Sequence, residues 1–274
     1  MTLEIDRIYC GDCLELMQRI PDRSIDAIIT DPPYGTTRNR WDIQIPLRAM
    51  WEEFNRIVED HAPMVIFGLP PFSSQLIVSN PKQYRYTWIW DKRLPVGFLN
   101  ANRAPLRRYE AISVFSRRAA AYYPQMTEGE PYYRPFRSTT GRNYGDCRPI
   151  PTSNTGSRYP TDIIDQWHNA ARRNKIHPTQ KPVPLFEYLV RTYTQPSQAV
   201  LDPFIGSGTT GMACISTGRR FIGIEKNPEY YEMACARIRD AQEQTRISSL
   251  SGQLPPANAG GLQRGSHGDH DDAI

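Results

Sequence analysis

An α/β architecture, a sheet covered by helices, is what the sequence predicts, and three observations carry the prediction. Apolar strand-like runs alternate with helical patterns up to about Ser116 and again after Pro182, the rhythm of strands joined by crossover helices. Within those runs, Ala27, Ile28 and Ile29 suit a buried strand. Two of the runs end in an acid followed by proline, Asp31-Pro32 and Asp202-Pro203, and proline stops a β ladder by removing a donor and fixing φ.

The elements follow in order. DRIYCGD reads as a strand and CLELMQRI as a short helix with Leu14, Met17 and Ile20 on one side. IDAIITD is the next strand, a helix covers about Pro46 to Val58, and PMVIFG, RYTWIWDK and AISVFSR are three further strands. Arg117 to Lys175 breaks the rhythm with many Pro, Gly, Tyr and Arg and almost no apolar period. Order resumes with PVPLFEYLVRTY as a helix, AVLDPF as a strand, TGMACIST as a helix, RFIGIEK as a strand and PEYYEMACARIRDAQEQ as a helix. The division expected is 1–116 and 176–245 as two halves of one domain, 117–175 as an insertion, and 246–274 as a disordered Ser/Gly/Pro-rich tail.

Length allows a full core, and no apolar run approaches the roughly 18–20 residues that span a bilayer. The opening residues lack a signal-peptide pattern, and five cysteines, an odd number, argue against a disulfide scaffold; a cytoplasmic protein is expected. Cys10 and Cys13 form a single CxxC with no second pair, so no metal site is expected.

Ala199 to Glu232 holds the first candidate site. A strand ends in Asp202-Pro203-Phe204, a turn carrying Gly206, Ser207 and Gly208 follows, and a helix opens at Thr209 or Thr210. The next strand ends in Glu225, 19 residues after Gly206. Glycines let a ligand approach the backbone, and a carboxylate after the next strand can bind ribose hydroxyls. No basic residue lies between Asp202 and Gly218, so a pyrophosphate lacks a cationic partner there. An acid in that place fits a cationic ligand, such as the sulfonium and ammonium of S-adenosylmethionine. The plainer alternative is a tight turn without a ligand.

The second site is DPPYG, Asp31 to Gly35. DPPYG and DPFIGSGTT together resemble the amino-group DNA methyltransferases, and their order resembles the circularly permuted β-class of that family. YCGDCLELM, HPTQKPVPLFEYLV and WDKRLPVGFLNANRAPLRRYEAISVFSR resemble further family segments. The resemblance runs from about Tyr9 to Ala236, with 117–175 poorly matched. It implies a Rossmann-like three-layer fold, a mixed, mostly parallel seven-stranded sheet and an inserted DNA-recognition region. It implies S-adenosylmethionine as cofactor, held by Asp12, Cys13, Asp31, His177, Thr179, Lys181, Asp202, Pro203, Phe204, Gly206, Ser207, Gly208, Thr209, Glu225 and Lys226. Asp31, Pro32, Pro33 and Tyr34 are the implied catalytic residues. One departure is Arg108-Tyr109-Glu110, where family members often carry His before this Glu.

An exocyclic amino group is a poor nucleophile, because its lone pair is delocalised into the base. A carboxylate from Asp31 and the Pro32 carbonyl, accepting both N–H bonds, would favour a pyramidal nitrogen and stabilise its developing charge. Tyr34 can stack on a base that has left the helix. Asp31 is expected past the end of its strand, outside the apolar core. Cytosine C5 chemistry would need a Pro-Cys pair, and no Cys follows a Pro. Aspartate at the head of the clamp leans toward adenine N6 in this family, with cytosine N4 or a catalytically silent DNA-binding relative as alternatives. From Arg117 to Lys175 there are ten Lys/Arg and five Asp/Glu, a local +5 against +4 for the whole chain, with Tyr122, Tyr123, Tyr132, Tyr133, Tyr144 and Tyr159 interleaved. Double-stranded DNA is therefore the expected partner. The resemblance adds a homodimer and a cognate restriction endonuclease as possible partners, and no membrane.

Overall fold

The computed structural model describes residues 2–36, 42–135, 151–167 and 180–250. His177, Thr179 and Tyr144 lie outside the described residues. The chain runs β1 (Arg7–Cys10), α1 (Cys13–Met17), β2 (Ala27–Thr30), α2 (Leu47–Ile57), β3 (Met64–Gly68), α3 (Phe72–Ser79), β4 (Tyr84–Val96), a 3₁₀ turn (Phe98–Asn100) and β5 (Arg107–Phe115). The insertion supplies β6 (Thr127–Glu128), β7 (Tyr132–Arg134), β8 (Thr152–Asn154), β9 (Ser157–Arg158) and β10 (Ile163–Ile164). The chain closes with α4 (Val183–Tyr193), β11 (Ala199–Asp202), α5 (Thr209–Thr217), β12 (Arg220–Glu225) and α6 (Pro228–Leu250).

The main sheet has the order β1-β12-β11-β2-β3-β5-β4-β10. The first five strands are parallel, β5 is antiparallel to both β3 and β4, and β10 lies parallel to β4. The seven strands expected are all present, and the two-residue β10 from the insertion adds an eighth at the edge. β6 pairs with β9, and β7 with β8, as two small antiparallel ladders.

Period-two alternation divides the core between the two faces. Ile28, Met64 and Ile66 face one way and pack with Met17, Trp51, Phe54 and Leu76 from α1, α2 and α3. Ile29, Val65 and Phe67 face the other way, against Leu185, Phe186, Ala213 and Ile238 from α4, α5 and α6. The result is three layers, with β2 and β3 buried throughout. Burying one such Ile or Leu contributes roughly 1.5–3 kcal/mol.

Two elements depart from the sequence expectation. The helix α3 falls in a stretch the apolar pattern passed over. It is held by Phe72, Ser73 and Leu76 turned inward, begins after Pro71 and ends at Asn80. Its signals were punctuation rather than periodicity, prolines before it and Asn80-Pro81 after. α6 continues to Leu250, beyond the boundary at 246; residues 251–274 lie outside the described residues.

This topology fixes where a ligand can sit. The chain leaves β2 through α2 on one face and leaves β11 through α5 on the other. β2 and β11 are adjacent and parallel, so a crevice opens between their C-terminal ends, the usual binding position in an open α/β sheet. DPPY follows β2 and DPFIGSG follows β11.

Candidate active site

Asp202 ties the two strand ends together. Its carboxylate accepts from the Thr30 hydroxyl at 2.6 Å, from the Phe204 N–H at 3.1 Å and from the Thr210 hydroxyl in the first turn of α5. Its residue exposure is 3%, and that burial pushes its pKa up to about 6 against the opposing effect of the three donors. With about three of its four acceptor positions filled, Asp202 offers a bound cation a field rather than a free hydrogen bond.

Beyond it the turn opens toward β12 and β1. Gly206 and Gly208 have φ of +53° and +86°, a left-handed conformation that costs other residues roughly 1–2 kcal/mol. A Cβ on Gly206 would meet only the Phe204 carbonyl oxygen, at 3.9 Å, so the turn leaves room above its backbone. Glu225 holds it from the next strand, accepting from the Gly206 N–H at 3.0 Å and the Asn227 N–H at 2.7 Å. Burial raises the Glu225 pKa, the backbone donors opposing it. Pro203, Ser207 and Thr209 are buried and Phe204 packs on the core, and Ser207 Oγ accepts from Arg237 at 3.0 Å.

One strand further, Cys10 pairs in register with Glu225, and Asp12 caps α1 by accepting from the Leu14 N–H at 3.0 Å. Desolvation is the largest influence on Asp12 and would raise its pKa. The Lys226 ammonium, 3.0 Å away, and the Leu14 N–H together outweigh it and hold the carboxyl below its ordinary value. The Cys13 thiol is buried and pushed up to about 12, first by desolvation and then by the Asp12 charge, so it is an unreactive packing group. Two carboxylates, an open glycine turn, and cations already engaged by Asp12 and by Ser207 suit a nucleoside with hydroxyl and ammonium groups and no phosphate. The residues fit S-adenosylmethionine.

DPPY lies on the other side of the crevice. Asp31 is the first residue past β2, as expected, yet its side chain is only 23% exposed and is held by charge. Its Oδ1 accepts from the Tyr34 hydroxyl and its Oδ2 from Lys181. The Lys181 side chain, 9% exposed, lies 3.1 Å from Glu110 Oε2, and Glu110 Oε1 accepts from Lys92 Nζ at 2.9 Å. The four charges form one buried chain, Lys92, Glu110, Lys181, Asp31. Burial raises the Asp31 pKa; Lys181 opposes the rise and Glu110 adds to it. Desolvation would lower the Lys181 pKa, but Asp31 and Glu110 raise it well above its ordinary value, so Lys181 stays charged. The Tyr34 ring stacks on Phe72 with centroids 5.3 Å apart and an interplanar angle of 23°, which fixes the far side of the loop. Asp42 closes its near side, accepting from the Gly35 and Thr36 N–H groups at 2.8 and 2.9 Å.

The DNA methylase family pattern matches residues 25–236, from the residues entering β2 into α6. The chain belongs to the DNA methylase family. Its methyl donor is S-adenosylmethionine. The methylase is 28% identical over 250 residues to the Type II methyltransferase M.HpaI of Haemophilus parainfluenzae, covering 85% of this chain and 74% of the relative. Among solved structures it resembles the M1.HpyAVI–SAM complex at 27% identity, with a TM-score of 0.54 and coverage of 84% and 98%. The cytosine-N4-specific PvuII DNA methyltransferase is similar at 17% identity, with a TM-score of 0.60 and coverage of 89% and 93%, a likeness of fold.

Of the residues the sequence singled out, the methylase brings Asp12, Glu225, Lys226 and the Asp202–Thr209 turn to one side of the crevice. Asp31 to Tyr34 lie on the other side. Lys181, expected at the cofactor, donates to Asp31 and lies 3.1 Å from Glu110 Oε2. Lys92, Glu110 and Thr30 were missed. Trp88, Trp90 and Lys92 alternate onto one face of β4, and Glu110 is paired with Trp90 on β5, so Lys92 and Glu110 are diagonal cross-strand neighbours. A lysine and a glutamate at buried positions of two apolar strands were the signal available.

Proposed function

We propose that this methylase transfers the methyl group of S-adenosylmethionine to the exocyclic amino group of a base flipped out of duplex DNA, adenine N6 being the target. The observation that carries the reading is the placement of Asp31 and the Pro32 carbonyl at the end of β2, across the crevice from the glycine turn and Glu225. Bound in that crevice, S-adenosylmethionine supplies an electrophilic methyl on sulfonium. Asp31 and the Pro32 carbonyl accept the two amino N–H bonds, turning the nitrogen lone pair out of conjugation and toward that methyl. As the N–C bond forms and the S–C bond breaks, the nitrogen sheds a proton. Asp31, with its pKa already raised by burial and by Glu110, is placed to hold that proton. Tyr34, its ring backed by the buried Phe72, leaves its other face for a flipped base to stack on.

Aspartate at the head of the clamp favours adenine. The basic, tyrosine-rich segment 117–175 and the hairpin formed by β4 and β5, with Arg93, Arg103, Arg107 and Arg108, supply cations for phosphates. β4 is parallel to β2 through two antiparallel pairings, so that hairpin projects from the same end of the sheet as Asp31. The test is incubation of unmethylated duplex DNA with labelled S-adenosylmethionine, followed by separation of the nucleosides. Label in N6-methyladenine supports the reading, label in N4-methylcytosine moves the target, and no label with retained DNA binding supports a silent binder.

A further inference from the structure

Lys181 stands where the target amino group has to bind. Both oxygens of Asp31 are engaged, one by the Tyr34 hydroxyl and one by the Lys181 ammonium. A fixed cation there competes with the amino N–H for the carboxylate and repels the positive charge that grows on the nitrogen during transfer. Something must take the lysine away without exposing it.

Glu110 has the capacity to do so. Its Oε1 is bound to Lys92, while its Oε2 is buried, 3.1 Å from Lys181 Nζ, and without a hydrogen bond among the described residues. It is within ion-pair distance of the ammonium but out of line for a bond, an acceptor left open next to a shared donor. The face of Phe67, whose centroid lies 5.2 Å from the same Nζ, gives the ammonium a second favourable surface on that side. Lys92 and Glu110, with side chains 7% and 10% exposed, brace each other from β4 and β5.

We propose that Glu110 is a positioning residue that draws Lys181 off Asp31 when the target amino group binds, and that Lys92 holds Glu110 in place for this. The inference rests on the reading of Asp31 as the amino-group clamp. With two cations and two anions the buried chain is neutral, so Lys181 moves between two carboxylates and the enclosed charge is unchanged. Asp31 is then faced by Lys181 from the segment entering α4, Glu110 from β5, Tyr34 from its own loop and Asp202 from β11.

The experiment compares wild type, Glu110→Gln, Lys92→Met and the double variant. It reads single-turnover methyl transfer to unmethylated duplex DNA across pH and S-adenosylmethionine affinity by calorimetry. Glu110→Gln should slow transfer by about 30-fold or more, with cofactor affinity within about threefold, since only Asp31's engagement is impaired. Its acid limb should move to lower pH by roughly half a unit or more, because the charge that raises the Asp31 pKa is gone. Lys92→Met should slow transfer less, by about tenfold. The double variant restores neutrality but not the second carboxylate that attracts the ammonium, so it should stay as slow as Glu110→Gln. It also serves if that single variant does not fold. A double variant at wild-type rate would show that net charge alone matters and would overturn the proposal, as would Glu110→Gln with an unchanged rate or acid limb. If Asp31→Ala slows transfer by about 100-fold or more while Glu110→Gln leaves the rate unchanged, only this inference fails; if Asp31→Ala transfers normally, the clamp reading fails first.

Discussion

Replacing Asp31 by alanine separates catalysis from folding in a way the structure lets one work out. The substitution removes the carboxylate that accepts an amino N–H in the transition state. Losing one such partner usually lowers transfer by about 10²–10³, or about 2.7–4 kcal/mol. It also removes the counter-charge of Lys181. A wholly orphaned buried charge costs about 3–5 kcal/mol, but here Glu110 remains 3.1 Å away and the Asp31 side chain is 23% exposed. The cost is then about 1–3 kcal/mol, a fall in Tm of about 2–12 °C for a domain of this size. Asp31→Ala should therefore bind S-adenosylmethionine within a fewfold of wild type, melt several degrees lower and transfer methyl at least about 100-fold more slowly. The assay is single-turnover transfer to duplex DNA beside a calorimetric cofactor titration and a thermal melt. Transfer within threefold of wild type refutes the clamp, and an unchanged melt refutes the ion pair with Lys181.

Glu225→Ala should weaken S-adenosylmethionine binding tenfold or more, about 1.5–3 kcal/mol, by removing ribose acceptors and releasing the Gly206 N–H; unchanged calorimetric affinity in the folded variant removes Glu225 from the site. Arg103→Ala with Arg107→Ala, two exposed cations of the β4–β5 hairpin, should flatten the salt dependence of DNA binding by up to about two units of slope, and an unaltered slope places the hairpin away from DNA. Tyr34→Ala should weaken binding of DNA with a mismatched target by about 1–3 kcal/mol along with the rate, since it removes the ring that a flipped base would stack on. A rate defect with full binding makes Tyr34 an Asp31 partner only.

How much of this was legible in the sequence depended on how far apart the interacting residues lie. Strands and most helices were readable because Ile28/Ile29 and Met64/Val65 carry their burial locally, in alternation. The glycine turn and Glu225 were readable because strand, turn, helix and strand follow one another. Lys181 and Asp31 are 150 positions apart, and their contact exists only once α4 packs on the sheet beside β2. Lys181 stands in a segment that lines the cofactor in the family, and the fold places its ammonium between two carboxylates.

Asp202 shows the same limit and gives the last test. Next to a glycine turn its charge suggested a counter-ion for a cationic ligand, but the carboxylate turns into the core and accepts from Thr30, Phe204 and Thr210. Burial lifts its folded pKa from 3.8 to about 6. The folded state then binds the proton more tightly than the unfolded chain, so this group's stabilisation is present below about pH 4 and lost as pH rises through 6. Across that window the loss amounts to about 3 kcal/mol. Asp202→Asn has no such titration. The unfolding free energy of Asp202→Asn minus that of wild type should therefore rise by about 2 kcal/mol between pH 4.5 and pH 7. This holds even if the amide, a poorer acceptor for two hydroxyls, leaves the variant less stable throughout. Urea unfolding at a series of pH values reads the difference. A flat difference means that Asp202 is ionised in the fold at an ordinary pKa, and that its carboxylate faces the crevice after all.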